Sequence, residues 1–151
     1  MPIALTLHLL SAVVWVGGMF FAYMALRPVA AELLEPPIRL QLWSKVFSKF
    51  FFWVTIAVVV LLATGFWMIF GFYGGMANTR PYVHIMMLLG LFMMAIYGHV
   101  FFAHYKRLSK AVAEENWPEG GKQLGKIRIL IAVNLVLGLV VVAVAGGGRF
   151  F

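Results

Sequence analysis

His8 and His84 are the residues whose type and placement point most directly to chemistry in this chain. His8 lies about a turn and a half into the first apolar run, and His84 about one turn into the third. Runs one and three cross a bilayer in the same direction, so both imidazoles fall in the same membrane layer. Neutral imidazole is costly to bury without a partner, and an ionisable side chain within a membrane is a functional candidate by default. No carboxylate is near enough in sequence to serve either ring. Two imidazoles facing each other across a bundle suit axial ligation of a haem b or shared binding of a metal ion such as copper. The chain has no cysteine, which excludes disulfides, thiolate metal sites and thiol redox chemistry.

At about 100° per residue, Ser11, Trp15 and Met19 share the side of His8. On the third run Met87, Leu88, Leu91, Ala95, Gly98 and His99 cluster around the direction of His84. This mixture of small, polar and aromatic residues predicts an internal face, with Trp15, Met19 and Met87 lining a pocket. Arg80, one turn before His84, is placed to steady a haem propionate. His99 follows His84 on nearly the same face but about 22 Å further along the axis, so it belongs to a possible second metal site. His104 points about 140° away from His99 and reads as an interfacial residue beside Tyr105, Lys106 and Arg107. Nine methionines include thioethers suited to Cu(I), although methionine is also ordinary packing material. Asn134, alone in the fourth run, reads as an interhelical hydrogen bond.

The elements that must position these residues are membrane spans. Of the 151 residues 64% are hydrophobic, and residues 1–26, 50–79, 81–105 and 129–148 carry no charged side chain. Each stretch reaches the roughly 20 residues that cross a hydrocarbon core. The fold class is therefore all-α integral membrane, a single domain (1–151) forming an up-down bundle of four transmembrane helices. The expected spans are 2–26, 50–72, 81–104 and 127–145. Pro28 is expected to end the first. In 31–50, Ile38, Leu42, Val46 and Phe50 recur every four residues opposite Arg39, Lys45 and Lys49, which predicts an interfacial amphipathic segment before helix two. Turns are expected at 73–81 and around Trp117-Pro118 and Gly120-Gly121.

The first run lacks a basic flank and a cleavage signal, so it is read as a span rather than a signal peptide. The net charge of +7 is distributed as topology, not as a nucleic-acid surface. Ten of the twelve Lys and Arg residues lie between spans one and two or three and four, and only Arg80 and Arg149 lie at the opposite end. The positive-inside rule then predicts a bacterial-type inner-membrane, multi-pass protein with both termini outside. The lipid bilayer is the expected environment, and nucleic acid is excluded as a partner.

The segment LHLLSAVVWVGGMFF (7–21) resembles the first helix of CopD-like membrane proteins, with His, Trp seven residues on, and Gly-Gly. RPYVHIMMLLGLFMMAIYGHVFFAHYKRL (80–108) resembles a later helix of that superfamily. The resemblance extends loosely to HemJ-type protoporphyrinogen oxidases and falls on His8, Trp15, Gly17, Gly18, His84 and His99. HemJ-type proteins carry a lysine shortly after the third-helix histidine, where this chain has Ile85, Met86 and Met87. The leading expectation is a bis-histidine b-type haem protein in electron transfer, with a quinone or another membrane protein as redox partner. The alternatives that the resemblance implies are copper transport or resistance, and porphyrinogen oxidation.

Overall fold

The computed structural model describes residues 1–150, and all regular structure among them is helical. Four long apolar helices run Pro2–Leu33 (α1), Pro36–Phe72 (α2), Pro81–Ala113 (α3) and Trp117–Phe150 (α4). Each is long and apolar enough to cross a bilayer, and the chain is a multi-pass membrane protein. Short connections at 34–35, 73–80 and 114–116 make sequence neighbours antiparallel. Both chain ends and the 73–80 connection therefore share one end of the bundle, where Arg80 Nη1 donates to the Arg149 carbonyl at 2.9 Å. The opposite, basic end carries the other ten Lys and Arg residues.

Every helix overruns its expected span. The amphipathic segment expected before helix two starts at Pro36 and continues unbroken into the membrane part of α2. Charge marks where the hydrocarbon ends, whereas the backbone ladder continues through any residues that favour it. Pro28 likewise fails to end α1. A π-helical stretch over Ala22–Leu26 precedes it, and the widened turn accommodates a ring that lacks an N–H and would clash in a regular α-helix. The turn expected at Trp117-Pro118 and Gly120-Gly121 lies earlier, at Glu114–Asn116. There Glu115 adopts a positive φ of 56° and the Asn116 side chain accepts from the Glu119 amide, so Pro118 sits in the first turn of α4.

The core runs along the bundle axis through Trp15 and Met19 of α1, Phe51 and Val54 of α2, Met93 of α3, and Ile127, Ile131 and Leu135 of α4. Phe51 is its aromatic hub, stacked on Phe47 at 5.0 Å and met edge-on by Tyr97 and Tyr105 at 5.6 and 5.3 Å. The Phe50 ring of α2 lies against Gly18 of α1, which has no room for a Cβ. Gly138 of α4 plays the same part against Val16 and Met93. Asn134 makes the expected interhelical bond, donating to the Met93 carbonyl at 3.1 Å, but its Oδ1 is buried without a partner. Large apolar side chains such as Leu88, Phe102, Ile129 and Val136 face outward, as lipid contact requires.

Candidate metal-handling site

Each of the four histidines has a polar partner, and the partners fix which ring nitrogen is free. His8 Nδ1 lies 2.8 Å from Thr64 Oγ1 on α2, and that hydroxyl donates its only proton to the Val60 carbonyl at 2.6 Å. Thr64 must therefore accept, so His8 carries its proton on Nδ1 and leaves the Nε2 lone pair free. Gly65 lies beside this pairing, where a Cβ would meet the His8 ring at 3.5 Å, an ordinary van der Waals contact. A ring held through one nitrogen by a hydroxyl, with the other nitrogen unprotonated, is the arrangement that orients imidazole ligands.

His84 is held in the same way with the nitrogens exchanged. Its Nε2 is 3.1 Å from Thr79 Oγ1, which donates to the Met76 carbonyl at 2.8 Å. Nε2 carries the proton and Nδ1 is free. The expected internal face of helix three, however, is an outer one. His84, Leu88, Leu91, Ala95 and His99 are all exposed, while Met87 and Gly98 are half-buried. The face that packs inward carries Met93 and Tyr97, with Tyr97 donating to the Phe51 carbonyl at 3.0 Å and meeting Trp15 edge-on. The sequence pattern misled because hydrophobic residues cover all sides of a membrane helix, so periodicity loses its power to tell core from lipid. Trp15 and Met19 are core residues, 3% and 2% exposed, and Arg80 spends a donor on the Arg149 carbonyl.

At the basic end the structure gives His99, the residue assigned from sequence to a second metal site, a partner that sequence reasoning missed: His104. His99 Nε2 and His104 Nε2 face each other at 3.1 Å, with ring planes at 89° and centroids 4.7 Å apart. The expected 140° separation applies to a regular α-helix. Residues Val100–Tyr105 instead form π-helical turns, whose i→i+5 pattern brings residues five apart onto one face. His104 is correspondingly buried at 7% exposure, not interfacial. Its Nδ1 is 2.8 Å from Gln123 Oε1, and Gln123 Nε2 donates to the Glu119 carboxylate at 2.8 Å. The carboxylate fixes the amide orientation, so Oε1 must accept and His104 must donate from Nδ1. Its Nε2 lone pair then points to His99 Nε2.

Two imidazole nitrogens bound to one metal at about 2.0–2.1 Å stand about 3.3 Å apart at a tetrahedral angle and slightly closer at a right angle. The His99–His104 separation of 3.1 Å falls in that interval. With the His99 proton on Nδ1 instead of Nε2, the pair would become a two-nitrogen chelate with open positions. No cluster of three or more His, Cys, Asp or Glu able to hold a metal exists among the described residues. Any further ligand must come from a thioether, a backbone carbonyl, water or another molecule.

No curated protein and no solved structure matches the chain. The family model for copper resistance protein D matches residues 44–147, which include Thr64, His84, His99, His104 and Gln123. The match covers more than half of the chain, which runs through three of the four helices and the whole histidine pair at the basic end: this protein belongs to the CopD, or copper resistance protein D, family.

Proposed function

We propose that the protein handles copper ions in the membrane as cargo, with imidazoles at two levels of the bundle. His8 and His84 serve the end that carries the termini, and His99 with His104 serves the basic end. The convergence of the His99 and His104 Nε2 atoms at 3.1 Å, with His104 oriented through Gln123, carries this reading. Imidazole accepts copper in either oxidation state and thioether favours Cu(I), so the donor set fits the ion. A chelate of two protein ligands leaves positions open, which suits a cargo that must be handed on. The test is copper binding by purified protein against a chromophoric competitor. Loss of one copper equivalent in both His99→Ala and His104→Ala supports the reading, and unchanged stoichiometry in both refutes it.

A second reading, a b-type haem held between His8 and His84 and used for electron transfer, is favoured by one observation. Both rings are bonded to threonine hydroxyls at the same end of the bundle, and each keeps one free nitrogen. Absorption spectra of oxidised and dithionite-reduced protein, expressed with ample haem, decide it. Sharp Soret, α and β bands that disappear in His8→Ala support haem; a flat visible spectrum removes it. Porphyrinogen oxidation draws no support from the arrangement of these side chains.

A further inference from the structure

The basic end of the bundle encloses a second feature that copper handling does not use. A cavity of about 440 Å³ opens between α1, α2 and α4. Three arginines line it, Arg27 from α1, Arg39 from α2 and Arg128 from α4, and none of its lining residues is acidic. Its wall also includes the aromatic rings of Tyr23, Trp43 and Trp117. Arg27 is partly engaged: its Nε donates to the Tyr23 carbonyl at 3.2 Å, and its Cζ lies 4.4 Å over the Tyr23 ring. Arg39 is different, because its Nε is buried and has no hydrogen-bond partner.

A buried donor without an acceptor is destabilising, and three like charges around one cavity repel each other. A single anion between them answers both problems. Guanidinium groups fork onto phosphate oxygens, and a cavity of this size falls within the range of small-molecule sites. The walls decide which phosphate fits. Most of the lining is apolar, including Leu40, Phe47 and Ile131, and the cavity lies where the apolar spans give way to basic connections. A free phosphate needs no apolar wall, whereas the glycerol and ester region of a lipid does. Tryptophan and tyrosine are the side chains that favour this headgroup level.

We propose that this cavity binds the phosphate of an anionic phospholipid headgroup through Arg27, Arg39 and Arg128. The site is separate from the histidine pair, so it stands whether or not the protein handles copper. Basic pockets between transmembrane helices are a known way of holding such headgroups.

The experiment is native mass spectrometry of the full chain in mixed micelles containing phosphatidylglycerol and phosphatidylcholine in equal amounts. One phosphatidylglycerol per chain should be retained in preference to phosphatidylcholine. Each guanidinium removed should weaken retention about fivefold, so Arg39→Gln/Arg128→Gln should weaken it more than twentyfold. Arg39→Lys keeps the charge but loses the fork and should fall between. Arg128 is exposed, so Arg128→Gln alone is the variant least able to disturb folding, and it must lower retention by itself. Equal retention of the two lipids, or unchanged retention in Arg128→Gln, overturns the proposal. So does full displacement of lipid by inorganic phosphate, which would make the site one for the free ion.

Discussion

Replacing Gln123 by leucine tests the histidine pair without touching either imidazole. Gln123 is 2% exposed, and its Oε1 is the only hydrogen-bond partner of His104 Nδ1, at 2.8 Å. Leucine fills similar volume but leaves the Nδ1–H unsatisfied in a buried position, which costs about 1–3 kcal/mol. The neutral ring can escape by moving its proton to Nε2, and that move removes the lone pair aimed at His99. Loss of an orienting partner typically lowers metal affinity 10–100-fold, or about 1.4–2.8 kcal/mol, the same size as the lost bond. Gln123→Leu should therefore weaken copper binding at the basic end by one to two orders of magnitude while leaving its stoichiometry unchanged at saturation. Competition against a chromophoric chelator reads the affinity, and thermal unfolding in the same detergent reads the stability. Gln123→Glu keeps an acceptor for His104 but sets a second carboxylate against that of Glu119, so it should restore most of the affinity only when combined with Glu119→Gln. Unchanged affinity in Gln123→Leu would refute the inferred tautomer, and with it the view that Gln123 prepares His104 as a ligand.

Thr64→Val removes the acceptor that holds His8 Nδ1–H, so it should impair any ligand bound at His8 while leaving the basic-end affinity unchanged. Glycines 17 and 18 should separate sharply. A methyl group at Gly18 collides with the Phe50 ring, whereas Gly17 faces open space, so Gly18→Ala should destabilise by about 1–3 kcal/mol and Gly17→Ala by little, as read by thermal unfolding. Because the chain has no cysteine, single cysteines report orientation without background. If the positive-inside rule holds, an impermeant maleimide added to intact cells labels Asn78→Cys and spares Lys110→Cys; the reverse pattern would invert the topology.

Composition alone determined the architecture, because four charge-free runs of sufficient length leave a chain few options other than four spans. His8 stood out in the sequence as a polar residue within an apolar run, but its partner did not: nothing links residue 8 to residue 64 until α1 and α2 pack together. The inward face of α3 failed for a physical reason. In water the polar residues of a helix mark its outside, but in lipid the outside is as apolar as the core. The pairing of His99 with His104 was missed for a different one. Their apparent divergence assumed 100° per residue, and a π-helical stretch changes that angle without any sequence signature as plain as a proline. The clue that sequence did offer was Gln123, a polar residue in the first turns of a long apolar helix. It gains meaning only when α4 places it beside His104.

The two histidine levels also bear on how cargo would move between them. His84 and His99 are 15 residues apart on one helix, about 22 Å, and the axis between the levels is packed. Trp15, Met19 and Met93 fill it at 3%, 2% and 3% exposure, and Trp15 meets Tyr97 edge-on. The thioethers of Met19 and Met93 are the soft donors within this plug. Sites that far apart with a packed core between them should behave independently, since energetic coupling is strong mainly between groups that share contacts. His8→Ala and His99→Ala should then have additive effects on copper affinity, to within about 0.5 kcal/mol in the double variant. A coupling clearly beyond that would mean that binding at one end changes the packing around Trp15 and Tyr97. The static plug would then have to be replaced by a gate that the ion itself opens.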